Sequence, residues 1–145
     1  MSTSPTDSRR DSTRLRLLLV EDHSMVAMAL GSAFDTVDDI VLVGHVASVK
    51  QAVAATERQR PDVVLLDRRL PDGDGIDAIA RLRAGSPQTR VLIFTGAADP
   101  GLAERIAEAG GAGLLLKAGL LEDLLDTIRR VAAGQDVFDV DSPGR

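Results

Sequence analysis

Five polar residues of this chain stand where chemistry could be done, and each closes an apolar run. The segment PDVVLLD (residues 61–67) ends on the carboxylate of Asp67, and LRLLLV (15–20) runs into Glu21 and Asp22. RVLIF (90–94) runs into Thr95, and LLL (114–116) into Lys117. Three acids, a hydroxyl and an ammonium are the equipment for a divalent cation and a phosphoryl group. Magnesium takes oxygen ligands in a near-octahedral shell and keeps several waters. Asp22 and Asp67 can ligate it directly, Glu21 can act through water, and the backbone carbonyl of Arg69 can add a neutral ligand. Asp67 can also be a nucleophile, since carboxylates form acyl phosphates. Thr95 can then donate to one phosphoryl oxygen and Lys117 can pair with another. Positioning and charge neutralisation carry most of such a transfer.

Taken singly, each residue has a plainer reading. Glu21 and Asp22 before a helix could cap it and complement its dipole. Asp67, followed by LPDGDG (70–75), could be a turn former. Thr95 could be an ordinary β-branched strand residue, and Lys117, Arg68 and Arg69 solvated charges. His23 reads as a first-turn helix residue with its ring in water rather than as a metal ligand. The set is stronger than its members because all five residues fall at the same end of successive strand-like runs.

The elements that must bring them together alternate along the chain. Val26, Leu30, Ala33, Phe34 and Val37 repeat as one helix face, and residues 40–46 read as a strand. Val49, Ala52, Val53 and Thr56 mark a second helix, and Ile76, Ile79 and Ala80 a third that stops near Gly85-Ser-Pro87. Asp99 and Pro100 are placed to cap and open a fourth, with Leu102, Ile106 and Ala109 buried. Leu121, Leu124, Leu125, Ile128, Val131 and Ala132 make a fifth. Five strands alternating with five helices predict an α/β fold with a doubly wound parallel sheet in the order 2-1-3-4-5. Its crevice lies between strands 1 and 3, beside Glu21, Asp22 and Asp67. Residues 1–14 read as a disordered leader, 15–134 as one domain and 135–145 as a linker or frayed tail.

Composition narrows the partners. The 145 residues contain no cysteine, which excludes disulfides and thiolate metal sites and fits a reducing compartment. A net charge of −5 disfavours direct nucleic-acid binding. The leader has no apolar core of a signal peptide, and no apolar run is long enough to span a bilayer, so no membrane partner is expected.

Together the motifs LVED (19–22), LLD (65–67), LPDGDG (70–75), FTG (94–96) and LLK (115–117) resemble those of a bacterial two-component response-regulator receiver domain over residues 15–134. Residues 21–26 and 109–118 are most similar to its NarL/LuxR-type subfamily. The resemblance implies a flavodoxin-like fold of the CheY kind, Asp67 as phosphoacceptor, Glu21 and Asp22 as the acidic Mg2+ site, Thr95 as switch hydroxyl and Lys117 as the phosphate-pairing lysine. It implies a sensor histidine kinase as phosphodonor and a cytoplasmic location, and it leaves room for a homodimer. DNA would be reached only through a helix-turn-helix output domain, so the chain is expected to be a fragment of a longer regulator or a stand-alone receiver. There are departures from the family pattern. Leu114 stands where an aromatic switch residue is usual, Ser24 where proline is common, Gly96 follows the threonine, and Arg69 and Ala97 occupy positions that tune dephosphorylation. Two rival readings follow: a degenerate receiver that binds partners without phosphorylation, and a magnesium phosphatase with an aspartyl intermediate. The phosphatase would need a second acid where this chain has Arg69.

Overall fold

The computed structural model describes residues 14–97 and 99–138. The strands are β1 (Leu15–Val20), β2 (Ile40–Val46), β3 (Val63–Asp67), β4 (Arg69–Leu70), β5 (Gly73–Asp74), β6 (Arg90–Thr95), β7 (Gly113–Leu116) and β8 (Val137–Phe138). The helices are α1 (Ser24–Phe34), α2 (Val49–Gln59), α3 (Gly75–Gly85), α4 (Leu102–Ala109) and α5 (Leu121–Ala132). Six strands form one parallel sheet in the order β2-β1-β3-β6-β7-β8, and β4 and β5 make a small antiparallel pair. The expected order therefore holds for the first five strands, with β8 added at the edge.

The two-residue period of a strand sends its side chains to opposite faces. On one face Leu17, Leu19, Val63, Leu65, Leu92, Phe94 and Leu115 pack against Ala27, Leu30 and Phe34 of α1 and Leu124, Leu125, Ile128 and Val131 of α5. On the other, Leu18, Val20, Val64, Leu66, Val91, Ile93 and Leu114 pack against α2, α3 and α4 through residues such as Ala52, Ile79, Leu82 and Ile106. The central strand β3 is buried at every position, which explains its unbroken apolar run.

Several local expectations change. In α3 the buried face is Gly75, Ala78, Ile79 and Leu82, while Ala80 is exposed; the helix is rotated about one residue from the face that Ile76, Ile79 and Ala80 suggest. Leu121 is exposed because it is the first residue of α5 and precedes its buried stripe. Helix α4 starts at Leu102, with Gly101 at its cap in the left-handed region (φ 79°), rather than at Asp99 and Pro100. The Asp99 carbonyl accepts from the Leu102 N–H at 3.1 Å, while its carboxylate is drawn away to Arg68 and Arg105. Strand β8 lies in the stretch read as a linker or frayed tail: the Val137 N–H donates to the Ala112 carbonyl at 3.0 Å, and Arg90 holds Asp136 at 2.6 Å. Two strand residues carry no periodicity, so nothing local announces them. Arg14, assigned to the leader, donates to the Asp38 carbonyl at 3.2 Å; residues 1–13 and 139–145, which hold the rest of the leader and tail, lie outside the described residues.

Candidate functional site

Strand register carries the polar residues to one edge. Val20 of β1 is level with Leu66 of β3, so Glu21 and Asp67 follow side by side. Asp67 is level with Phe94, the residue before Thr95, and Thr95 with Leu116, the residue before Lys117. From β3 to β6 to β7 each strand thus offers its polar group one residue further along than the last. The Lys117 N–H, bonded to the Thr95 carbonyl at 2.8 Å, continues the ladder past the end of β7.

The side chains then converge. Lys117 Nζ lies 3.1 Å from Glu21 Oε1 and 3.3 Å from Asp67 Oδ2, and 5.4 Å above the centre of the Phe94 ring. One ligand atom from each of Glu21, Asp22, His23 and Asp67 can be chosen so that all lie within 4.8 Å of one another. Glu21, Asp67 and Thr95 are buried, whereas Asp22 is open to solvent. Asp67 Oδ1 accepts from the Arg69 N–H at 3.3 Å, which ties the acid to the turn that follows it. That turn is tight: the Gly75 N–H donates to the Arg68 carbonyl at 2.6 Å, and a Cβ at Gly75 would lie 2.5 Å from the Asp67 carbonyl oxygen. Thr95 Oγ1 contacts the Ala97 carbonyl and amide at 3.3 and 3.4 Å, long bonds that leave the hydroxyl weakly held.

The electrostatics divide the two buried acids. Burial pushes Asp67 up from its ordinary value, and the Glu21 carboxylate adds to this, while Lys117 opposes both. Burial also pushes on Glu21, yet the amide and ring of His23 and the Lys117 ammonium outweigh it and hold Glu21 below the usual range. Glu21 Oε1 and Asp67 Oδ2 lie close to the ammonium, but neither has a well-directed hydrogen bond. A cluster with buried, unsatisfied carboxylate oxygens fits a hard divalent cation, which supplies the missing charge.

Two residues matter more here than the sequence suggests. His23 is the cap of α1, and its ring is 69% exposed as expected, yet Nδ1 sits 3.0 Å from Glu21 Oε2 and 3.5 Å from Asp22 Oδ1. Its place directly after two acids was the available signal. Arg68 is not a solvated charge: its side chain is 13% exposed and lies between Asp74 at 3.6 Å and Asp99 at 3.4 Å. Those acids are 6 and 31 residues away in the chain, so no local pattern pairs them with it. The Arg69 side chain is exposed. A surface cleft of about 500 Å3 lies at the opposite edge of the sheet beside Arg83 and Arg90, which already bond the Gly110 carbonyl and Asp136.

A doubly wound sheet with acids and an ammonium at its switch point, in place of a glycine-rich nucleotide loop, defines the flavodoxin-like receiver class. The chain belongs to the response regulator receiver domain family, which it matches over residues 17–129. It is 33% identical over 125 residues to the response regulator protein VraR of Staphylococcus aureus, covering 86% of this chain and 60% of VraR. This chain therefore spans about three fifths of that relative's length. Among solved structures it is similar to the signal receiver domain of the putative response regulator NarL from Mycobacterium tuberculosis (TM-score 0.80, 26% identity, 84% of this chain and 98% of that one). It is also similar to a LuxR-family two-component response regulator from Aurantimonas sp. SI85-9A1 (TM-score 0.82, 27% identity, 90% and 91% covered). Receiver domains of this family are regulatory modules rather than turnover enzymes. No helix among the described residues is long and apolar enough to cross a membrane.

Proposed function

We propose that Asp67 accepts a phosphoryl group from the phosphohistidine of a sensor histidine kinase, or from a small acyl phosphate, and that the resulting charge switches a partner-binding face. The observation that carries this reading is the buried Asp67 Oδ2, without a hydrogen bond and 3.3 Å from an ammonium, at the edge where Thr95 also ends. In the transfer a carboxylate oxygen of Asp67 bonds to phosphorus while the phosphorus–nitrogen bond of the phosphohistidine breaks, or, with an acyl phosphate, the phosphorus–oxygen bond, whose pair leaves on the carboxylate. The histidine leaves with the bonding pair and takes a proton from solvent. Lys117 neutralises one phosphoryl oxygen, and Thr95, weakly held by Ala97, turns its hydroxyl toward another. Glu21, Asp22, Asp67 and the Arg69 carbonyl would hold Mg2+, which supplies the charge that lets a dianionic phosphoryl approach three acids.

Movement of Thr95 and Lys117 is transmitted to α4 and β7, which lie between them in the chain, and to α5, which follows Lys117. An output domain that binds DNA, by analogy with the DNA-binding LuxR-family response regulator of Staphylococcus aureus, a homodimer on the switched face and a cytoplasmic location complete the proposal. Intact mass after incubation with acetyl phosphate and Mg2+ tests it: wild type gains one phosphoryl group and Asp67→Asn does not. No gain on wild type, or equal gain on the variant, defeats the reading.

A second reading has one observation in its favour. Leu114, where the resemblance to the family leads to the expectation of an aromatic, is fully buried in the sheet core and has no ring to swing. A receiver that binds partners without phosphorylation would therefore show no spectral shift with fluoroberyllate and Mg2+, whereas the phosphoacceptor would.

A further inference from the structure

We infer that His23 is a metal ligand of this pocket, so that the site is a mixed oxygen and nitrogen donor set suited to first-row transition cations such as Co2+ and Mn2+ as well as Mg2+. The inference deepens the phosphoacceptor reading and rests on its acidic pocket. Donors about 2.1 Å from one ion are about 3.0 Å apart at octahedral right angles and about 3.4 Å apart in a tetrahedron. His23 Nδ1 is 3.0 Å from Glu21 Oε2 and 3.5 Å from Asp22 Oδ1, the separations of neighbouring ligands on a single ion. The four candidate donor atoms also fit within 4.8 Å, close to the about 4.2 Å that separates opposite ligands of an octahedron.

The pocket asks for such an ion. Glu21 Oε1 and Asp67 Oδ2 belong to side chains 0% and 5% exposed, and neither has a well-directed hydrogen bond. The ring is not needed to satisfy Glu21 Oε2, because the His23 backbone N–H already donates to that oxygen at 3.1 Å. The Nδ1 proton that the ring shares with Glu21 Oε2 can therefore give way to a cation, with the neutral ring's proton carried on Nε2 at the open side of a ring that is 69% exposed. Imidazole raises affinity for cobalt, nickel and zinc far more than for magnesium, which prefers oxygen. His23 is thus a specificity-determining residue for the cation. The other histidine, His45, bonds the Glu21 carbonyl through Nε2 at 2.9 Å and is not one of the four clustered donors.

The test is calorimetric titration of the full chain with Mg2+ and with Co2+, on wild type, H23N, H23A and H45Q. Asn suits a helix cap, so H23N keeps the start of α1. The expected result is a Co2+/Mg2+ affinity ratio that falls about tenfold or more in both His23 variants, with Mg2+ affinity changed less than about threefold and H45Q like wild type. The Co2+ form of wild type should show a hyperfine-shifted imidazole N–H resonance that H23N lacks. An unchanged ratio in H23N, or a shifted resonance that survives in H23N, overturns the inference. If wild type still takes up a phosphoryl group with Mg2+, that failure leaves the phosphoacceptor reading standing. Absence of both metal binding and phosphoryl uptake in wild type sinks the two together.

Discussion

Lys117 is the one cation that faces both buried acids among the described residues, and replacing it with methionine isolates what it does. Met keeps most of the side-chain volume and removes the charge. At an effective dielectric of about 20, the separations of 3.1 and 3.3 Å to Glu21 and Asp67 each correspond to about 5 kcal/mol of gross attraction. Most of this is offset. The ammonium is 23% exposed and partly screened, its own desolvation is recovered in the variant, and a carboxylate left without its partner can take up a proton. A net loss of about 2–3 kcal/mol remains, below the about 3–5 kcal/mol found when a fully buried pair is broken. For a domain of this size that is a fall in Tm of roughly 8–12 °C, measured by calorimetry in EDTA at neutral pH. The loss must depend on pH. Lys117 holds down both carboxyls, so its contribution is present where they are ionised and fades as pH falls through the carboxylate range. Millimolar Mg2+ should restore part of the lost stability by replacing the missing charge. Equal Tm values for K117M and wild type at neutral pH, or a deficit that is undiminished at pH about 3, would refute the reasoning.

Other perturbations probe the same edge. Asp67 is held above its ordinary value of 3.8, chiefly by burial and then by Glu21, so the native state binds its proton more tightly than the unfolded chain and loses stability as pH rises through that interval. D67N lacks this cost; its Tm in EDTA should exceed that of wild type at neutral pH, with the gap closing below about pH 3.8. G75A places a Cβ 2.5 Å from the Asp67 carbonyl oxygen and 3.2 Å from Arg68 Cα, both backbone atoms that cannot step aside. It should cost about 2–3 kcal/mol in urea denaturation and slow phosphoryl uptake by displacing Asp67, the proposed acceptor. G113A would drive a Cβ into the Val137 carbonyl and to 2.9 Å from Leu92 Cδ1. Strand β8 should detach, seen as lost amide-exchange protection at Val137, with a global cost of about 1–2 kcal/mol and little effect at Asp67.

Much of the fold was readable in advance because the signals are local. Alternation of short apolar runs with helical faces follows from backbone period alone, and a buried parallel strand such as β3 shows itself by having no polar residue until Asp67. Right-handed crossovers then leave the strand order nearly decided, and parallel register brings Glu21, Asp67, Thr95 and Lys117 to one edge without any knowledge of side-chain contacts. What escaped was short or long-range. Residues 137 and 138 are too few to show a period, and they pair with β7 only because Gly113 lets a backbone approach. The start of α4 moved to Leu102 because Asp99 found better partners in Arg68 and Arg105 than at a helix cap.

Amino-acid order alone was enough to say which groups stand at one edge of the sheet, since strand ends and periodicity are properties of neighbours in the chain. Folding settled how those groups act on one another. It set one ammonium between two acids and drew Arg68 between Asp74 and Asp99. Those outcomes depend on distances of a few ångströms across separate strands and loops, where charge and burial decide, and no pattern along the chain encodes them.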